Sequence, residues 1–187
     1  VVTTTNDLGQ RTVSFYDRLG HVTLTVQNWE DGEYEAGHPD QDLVTTREYD
    51  ALGRPVTVTN PLEMVTVSGY DQLDRLVTTT VNYTTNPAAD PATYNVVTTY
   101  GYDPAGNRVT VTNALQIQTV TAYDELDRVQ KVTQNYVDGA YSAGAPDEDV
   151  YTRYTYDLLG RRRAVSVLGQ YTTTYGFDGL GRTVAIT

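Results

Sequence analysis

Valine and threonine take turns along short stretches of this chain. In Arg54-Pro55-Val56-Thr57-Val58-Thr59, an extended backbone puts Val56 and Val58 on one side and Thr57 and Thr59 on the other. Asn60-Pro61-Leu62-Glu63 interrupts the alternation, and Val65-Thr66-Val67-Ser68 resumes it. Period-two alternation of β-branched residues on both sides of turn formers predicts strand, turn, strand. The same reading applies to Arg108-Val109-Thr110-Val111-Thr112, Asn113-Ala114-Leu115-Gln116 and Thr119-Val120-Thr121. No stretch sustains a helical period, so the pattern predicts an all-β chain.

A short phrase punctuates the strands. It opens at Tyr16-Asp17, Tyr49-Asp50, Tyr70-Asp71, Tyr102-Asp103, Tyr123-Asp124, Tyr156-Asp157 and Phe177-Asp178. Three of the seven copies continue to a Gly three residues after the Asp and then to Arg: Gly53-Arg54, Gly160-Arg161 and Gly181-Arg182. Gly20 and Gly106 keep the glycine alone, whereas Asp74-Arg75 and Asp127-Arg128 replace it. The intervals between aromatics alternate as 33, 21, 32, 21, 33 and 21 residues. The unit is therefore a long-plus-short pair, spanning about 16–69, 70–122 and 123–176 within a single array over 1–187. Asn6 stands ten residues before Tyr16, as Asn60 does before Tyr70, so the chain begins partway through a repeat. It has no initiator Met and no leader-like segment, which fits a piece of a longer protein.

The phrase is turn chemistry. Asp at the first turn position accepts from backbone amides ahead of it. Gly three residues on suits the left-handed position of a hairpin loop with a bulge, and Asp is among the few residues able to replace it. The strand-end tyrosine is expected to stack on its counterpart next door or to cap the sheet face. The Val face of a single sheet would be left wet, which predicts either partial closure by the chain's own loops or a homodimer joined at an edge or face.

The long intervals replace the tight turn with loops at about 28–42, 82–95 and 135–149. Trp29, Tyr83 and Tyr136 each follow an Asn, and Tyr34 and Tyr141 correspond in the first and third loops. Their plain role is to cover the sheet edge and tie down the loop; the alternative is contact with a glycan or protein partner. Asp31, Glu33, Asp40 and Asp42, with Asp138, Asp147, Glu148 and Asp149, read as solubilising charge, because they lack the ligand alternation and closing Glu of a calcium loop.

Charge narrows the partners. The net charge is −11, and Lys131 is the one lysine among thirteen basic residues, which argues against a nucleic-acid surface. Arg161-Arg162-Arg163 reads as the turn Arg with two solvated neighbours. Cysteine is absent, and no apolar run could span a bilayer. His21 stands in an Arg slot of the phrase, His38 lies in a loop, and no serine sits in a nucleophile-elbow pattern. The expectation is a protein that is not an enzyme and needs no cofactor or metal.

Tyr-Asp-x-x-Gly-Arg recurring at about 21 residues over the whole chain resembles the YD-repeat, or Rhs-repeat, family. The resemblance implies antiparallel β-hairpins joined side by side in a curled, spiralling sheet. In bacterial toxin complexes, polymorphic toxins and teneurins such spirals close into shells, and the bacterial shells hold a toxin segment. It implies a secreted or cell-surface wall segment whose partners are neighbouring repeats of the full-length chain and an enclosed polypeptide cargo. Carbohydrate binding is the alternative that the family suggests. Asp103-Pro104-Ala105-Gly106 matches the first letters of the family's self-cleavage motif, but it lies mid-chain in a hairpin phrase, where Pro is ordinary turn chemistry.

Overall fold

The computed structural model describes residues 1–30, 40–86, 90, 92–169 and 171–187. Among the described residues every regular element is a strand, and no helix is long and apolar enough to cross a membrane. The chain divides into two compact units, Val1–Val97 and Thr98–Thr187. The first holds β1 (Val2–Thr5), β2 (Arg11–Tyr16), β3 (Val22–Gln27), β4 (Leu43–Tyr49), β5 (Pro55–Thr59), β6 (Val65–Tyr70) and β7 (Leu76–Val81). The boundary falls within β8 (Val96–Tyr102). The second unit continues through β9 (Arg108–Thr112), β10 (Gln118–Tyr123), β11 (Val129–Gln134), β12 (Val150–Tyr156), β13 (Arg162–Val167), β14 (Tyr171–Phe177) and β15 (Thr183–Ile186).

Within each unit the strands pair antiparallel in the order of the chain. Antiparallel order sends alternate connections to opposite edges. The Tyr-Asp turns therefore share one edge of each unit. The Asn turns and the long loops share the other.

The register corrects the expectation of a valine face. Thr57 lies opposite Val67, and Val58 opposite Thr66. Val111 faces Thr119, and Val120 faces Thr110 on one side and Thr133 on the other. Valines of adjacent strands thus fall on opposite faces, and each is flanked by threonine. The physical reason is that turn length sets register, and a register displaced by one residue moves a strand's whole apolar set to the other face. The exception is the row Val13–Val26–Val44 on β2, β3 and β4. Among the described residues, Val13 and Val26 in that row are the buried apolar side chains, at 4% and 2% exposure.

Core burial is accordingly small. The chain exposes 12682 Å², whereas the usual surface-to-mass relation gives about 8,900 Å² for 20.7 kDa. Thr–Val and Thr–Thr pairs across strands supply only about 0.2–1 kcal/mol each. Something besides a core must hold the register.

Each hairpin closed by a Tyr-Asp or Phe-Asp turn carries a register shift at its aromatic: Phe15/Tyr16, Glu48/Tyr49, Gly69/Tyr70, Gly101/Tyr102, Ala122/Tyr123, Thr155/Tyr156 and Gly176/Phe177. A bulge there adds twist and re-aims the residues that follow. Gly69 and Gly101, just before the shift, face Thr78 and Thr110. A Cβ at either glycine would collide with the opposing threonine Oγ1. Gly69→Ala should therefore destabilise the protein by about 1–3 kcal/mol. Urea titration should show most of that loss restored in Gly69→Ala/Thr78→Ala, which removes the opposing hydroxyl.

Candidate functional site

The recurring phrase folds into one corner geometry. At Asp50 the backbone amide donates to the Arg54 carbonyl at 3.0 Å, and the Gly53 amide returns to the Asp50 carbonyl at 3.0 Å. Asp50 Oδ1 accepts from the amides of Leu52 at 2.9 Å and Arg54 at 3.0 Å, while Oδ2 accepts from Arg54 Nε at 2.7 Å. One carboxylate therefore satisfies two loop amides and a guanidinium. Asp71, Asp124, Asp157 and Asp178 repeat the arrangement with Arg75, Arg128, Arg161 and Arg182. Asp17 does so with His21, whose Nδ1 lies 2.9 Å from Oδ2, and Asp103 with Asn107.

The fourth position is left-handed throughout. Gly20, Gly53, Gly106, Gly160 and Gly181 have φ between 79° and 95°, and Asp74 and Asp127 have φ of 63° and 57°. The opposite edge uses the same device with asparagine. Asn60 Oδ1 accepts from Leu62 and Met64, Asn113 Oδ1 from Leu115 and Ile117, and Asn6 Oδ1 from Leu8 and Gln10. Glu63, Gln116 and Gly9 take the left-handed position there. The geometry needs an acceptor oxygen on a short side chain rather than a charge, which is why Asn and Asp share it.

The corner carboxyls sit below the ordinary aspartate range. At Asp17 and Asp124 the main cause is the side-chain bond from His21 or Arg128; at Asp50 and Asp178 it is the amide of Arg54 or Arg182. At Asp71, Asp103 and Asp157 desolvation is the largest single effect and opposes the shift, and the hydrogen bonds together outweigh it.

Neighbouring corners are tied to one another. Arg54 Nη1 reaches Asp74 Oδ1 at 2.7 Å and the Asp71 carbonyl at 3.2 Å, and its guanidinium lies 4.8 Å from the Tyr70 ring centre. Asn107 Nδ2 reaches Asp127 Oδ1 at 2.7 Å. Asp74 and Asp127 thus do more than tolerate a positive φ: each receives the preceding corner. Arg128 covers Tyr156 at 4.5 Å, Arg161 covers Phe177 at 4.5 Å, and His21 stacks on Tyr49 at 4.8 Å. These rings pack under the preceding corner's cation or imidazole rather than on another tyrosine, because a cation gains from the electron-rich ring face. The hydroxyls of Tyr49, Tyr70, Tyr123 and Tyr156 donate to the carbonyls of Val22, Pro55, Arg108 and Val129. Tyr16 is exposed at the first corner.

The long loops close through a second shared device. Asn28, Asn82 and Asn135 pair with Asp42, Asn95 and Asp149, all six left-handed. The later residue's amide donates to the earlier one's carbonyl at 3.0–3.1 Å. The earlier side-chain amide donates to the carbonyls of Asp40, Thr93 and Asp147. The later side chain accepts from Glu30, Thr84 or Val137. Asp149 also takes the Asp138 and Gly139 amides, so its buried carboxyl stays below the usual range although desolvation, the largest single effect, pushes the other way. The acidic residues at the loop ends, Asp42 and Asp149, are therefore buried anchors rather than solubilising charge.

The aromatics at the necks bind through their backbone. The amides of Trp29, Tyr83 and Tyr136 donate to the carbonyls of Arg11, Val65 and Gln118. Trp29 packs 6.4 Å from the Phe15 ring. Tyr83 and Tyr136 are 44% and 37% exposed, and Tyr141 is half-buried. Tyr34, Asp31, Glu33 and His38 lie outside the described residues. Among the described residues no cluster of three metal-ligating side chains forms.

Two measurements test the corners. Eight aspartates bind protons less readily folded than unfolded, so their stabilisation is complete above the ordinary value of 3.8 and is lost as pH falls through the lower folded values. Urea midpoints followed downward in pH should stay level until about 4 and then drop steeply. Separately, Asp74→Ala should cost about 1–2 kcal/mol for its left-handed backbone in addition to the lost bridge. Asp74→Gly should lose only the bridge, and that loss should vanish in an Arg54→Gln background.

A family model described as RHS Repeat matches residues 49–85, which contain the linked corners at Asp50 and Asp71. No curated protein matches the chain. Among solved structures, a crystal structure of TcdB2–TccC3 without its hypervariable C-terminal region shares 17% identity over 94% of this chain, with a TM-score of 0.71. The TcdB2–TccC3–Cdc42 crystal structure shares 15% over 94%, with a TM-score of 0.70. A Tc holotoxin pore of Photorhabdus luminescens carrying a TccC3 mutation shares 19% over 98%, with a TM-score of 0.70. The chain spans 9% of the length of each. Likeness at these identities concerns the fold. The matched segment, residues 49–85, is thus similar to an RHS repeat, and it is set among further corners of the same geometry.

Proposed function

We propose that the chain is a structural, non-enzymatic stretch of shell wall in a larger secreted protein, and that the shell encloses a polypeptide cargo. The observation that carries this reading is the tie between consecutive corners, seen in Arg54 with Asp74 and Asn107 with Asp127. Side chains that could do acid–base chemistry are spent there on backbone amides and neighbouring cations. A repeat chain whose units bond mainly to their neighbours suits an extended wall. Fold likeness to the TcdB2–TccC3 structures supports the same assignment.

The full-length protein provides the test. Its C-terminal segment should resist added protease while the repeats are folded and become cleavable once acid opens them. Cleavage at equal rates in both states would reject an enclosed cargo.

A second reading, glycan or protein contact through the loops, is favoured by the exposure of Tyr83 and Tyr136. A glycan array of the 187-residue chain distinguishes it. Binding that disappears in Tyr83→Ala and Tyr136→Ala would support a reader; an empty array would leave the wall.

A further inference from the structure

The third double repeat departs from the first at one patch of sheet. Lys131 on β11 lies directly opposite Arg153 on β12, with Ala122 opposite Lys131 on the other side. Like charges in direct cross-strand register are destabilising. Yet among the described residues neither cation forms an ion pair, in a chain whose net charge is −11. Both instead approach the Tyr151 ring, Lys131 Nζ at 4.7 Å and Arg153 Cζ at 5.3 Å from its centre.

The other repeats show that the fold does not require this arrangement. Counting from the aromatic of each corner, Lys131 and Arg153 correspond to Leu24 and Thr46 in the first double repeat and to Thr78 and Thr99 in the second. Tyr151 corresponds to Val44 and Val97, and Ala122 to Phe15 and Gly69. In the first repeat Phe15 pairs with Leu24 and Leu24 with Thr46, under cover of Trp29. In the third, the small Ala122 leaves a recess bounded by Gln130, Lys131, Arg153, Tyr154 and Thr155. An apolar row has become a hollow with two facing cations.

We infer that Lys131 and Arg153 form a binding site for a side-chain carboxylate of an acidic polypeptide segment. The ammonium and the guanidinium donate to the two carboxylate oxygens, which removes the repulsion between them. The chemistry favours a peptide over an acidic sugar: the Tyr151 ring is already engaged by both cations, and a side-chain carboxylate needs no aromatic face to stack upon.

The test uses the isotopically labelled 187-residue chain at physiological salt, followed by amide chemical shifts. The probes are a capped glutamate–serine peptide, the same peptide with glutamine for glutamate, and free glucuronate. The glutamate peptide should give saturable shifts at Ala122, Lys131 and Arg153. Lys131→Thr/Arg153→Thr, which installs the second repeat's residues, should weaken binding roughly tenfold or more. Without peptide, that variant should melt no lower than the parent. Equal response to the glutamine peptide, tighter binding of glucuronate, or no saturable shift would each overturn the site. A lower melting temperature of the double variant would overturn it too, by showing that the pair stabilises the sheet itself.

Discussion

A short side-chain oxygen that collects the amides two and four residues ahead is the constraint on which this fold rests. Asp50 and Asn60 do it at opposite edges of the same unit, one with a carboxylate and the other with an amide. Collecting both amides fixes the loop length and leaves one residue in the left-handed region. Fixed loop length fixes register, and register decides which face each side chain meets. The placement of valines on alternate faces is therefore a consequence of corner chemistry and not of any preference of the strands.

Because the faces are mixed, the structure gains little from a core. Val13 and Val26 are buried, whereas most strand residues are only half-covered. Stability is instead spread along the edges, in corners tied to their neighbours. Arg54 makes three kinds of contact with the following corner, to Asp74, to the Asp71 carbonyl and to the Tyr70 ring. Tyrosine hydroxyls add a bond running back to the strand before the hairpin, as from Tyr49 to Val22. Edge ties of this sort add with every repeat, which suits a structure that grows by length rather than by thickness.

The corners were legible because each is local. Asp, Gly and Arg within five residues contain all the groups the turn needs, so Asp157-Leu158-Leu159-Gly160-Arg161 announces its own geometry. Strand alternation in Val56–Thr59 was equally local. What escaped notice depends on partners far apart in the chain. Asp74 looks like a substitute for Gly until Arg54, twenty residues earlier, is seen against it. Asp42 and Asp149 look like surface charge until the loop closes on their carboxylates. Tyr49 could be placed at a strand end, but whether it met tyrosine or His21 depended on the bulge that turns it. One signal could have found the loop necks: an Asn at the start of each loop and an Asp or Asn at its end, at Asn28 and Asp42, Asn82 and Asn95, Asn135 and Asp149.

Concentrating the fold's requirements at edges frees its faces. A strand position between two corners contributes one cross-strand pair among many, so exchanging its side chain alters stability modestly and leaves register alone. That explains how the row Phe15–Leu24–Thr46 and the row Ala122–Lys131–Arg153 can occupy equivalent places on equivalent strands. The same freedom does not extend to Asp50 or Asp157, where a change would unmake a turn and shift two strands at once. Differences among repeats in an array of this kind therefore carry different information at the two places. At a corner, departure from the phrase is compensated nearby, as Asn107 compensates for Arg by reaching both Asp103 and Asp127. On a face, departure needs no compensation at a corner: Lys131 and Arg153, two cations in register over the Tyr151 ring, stand where the first repeat has Leu24 and Thr46.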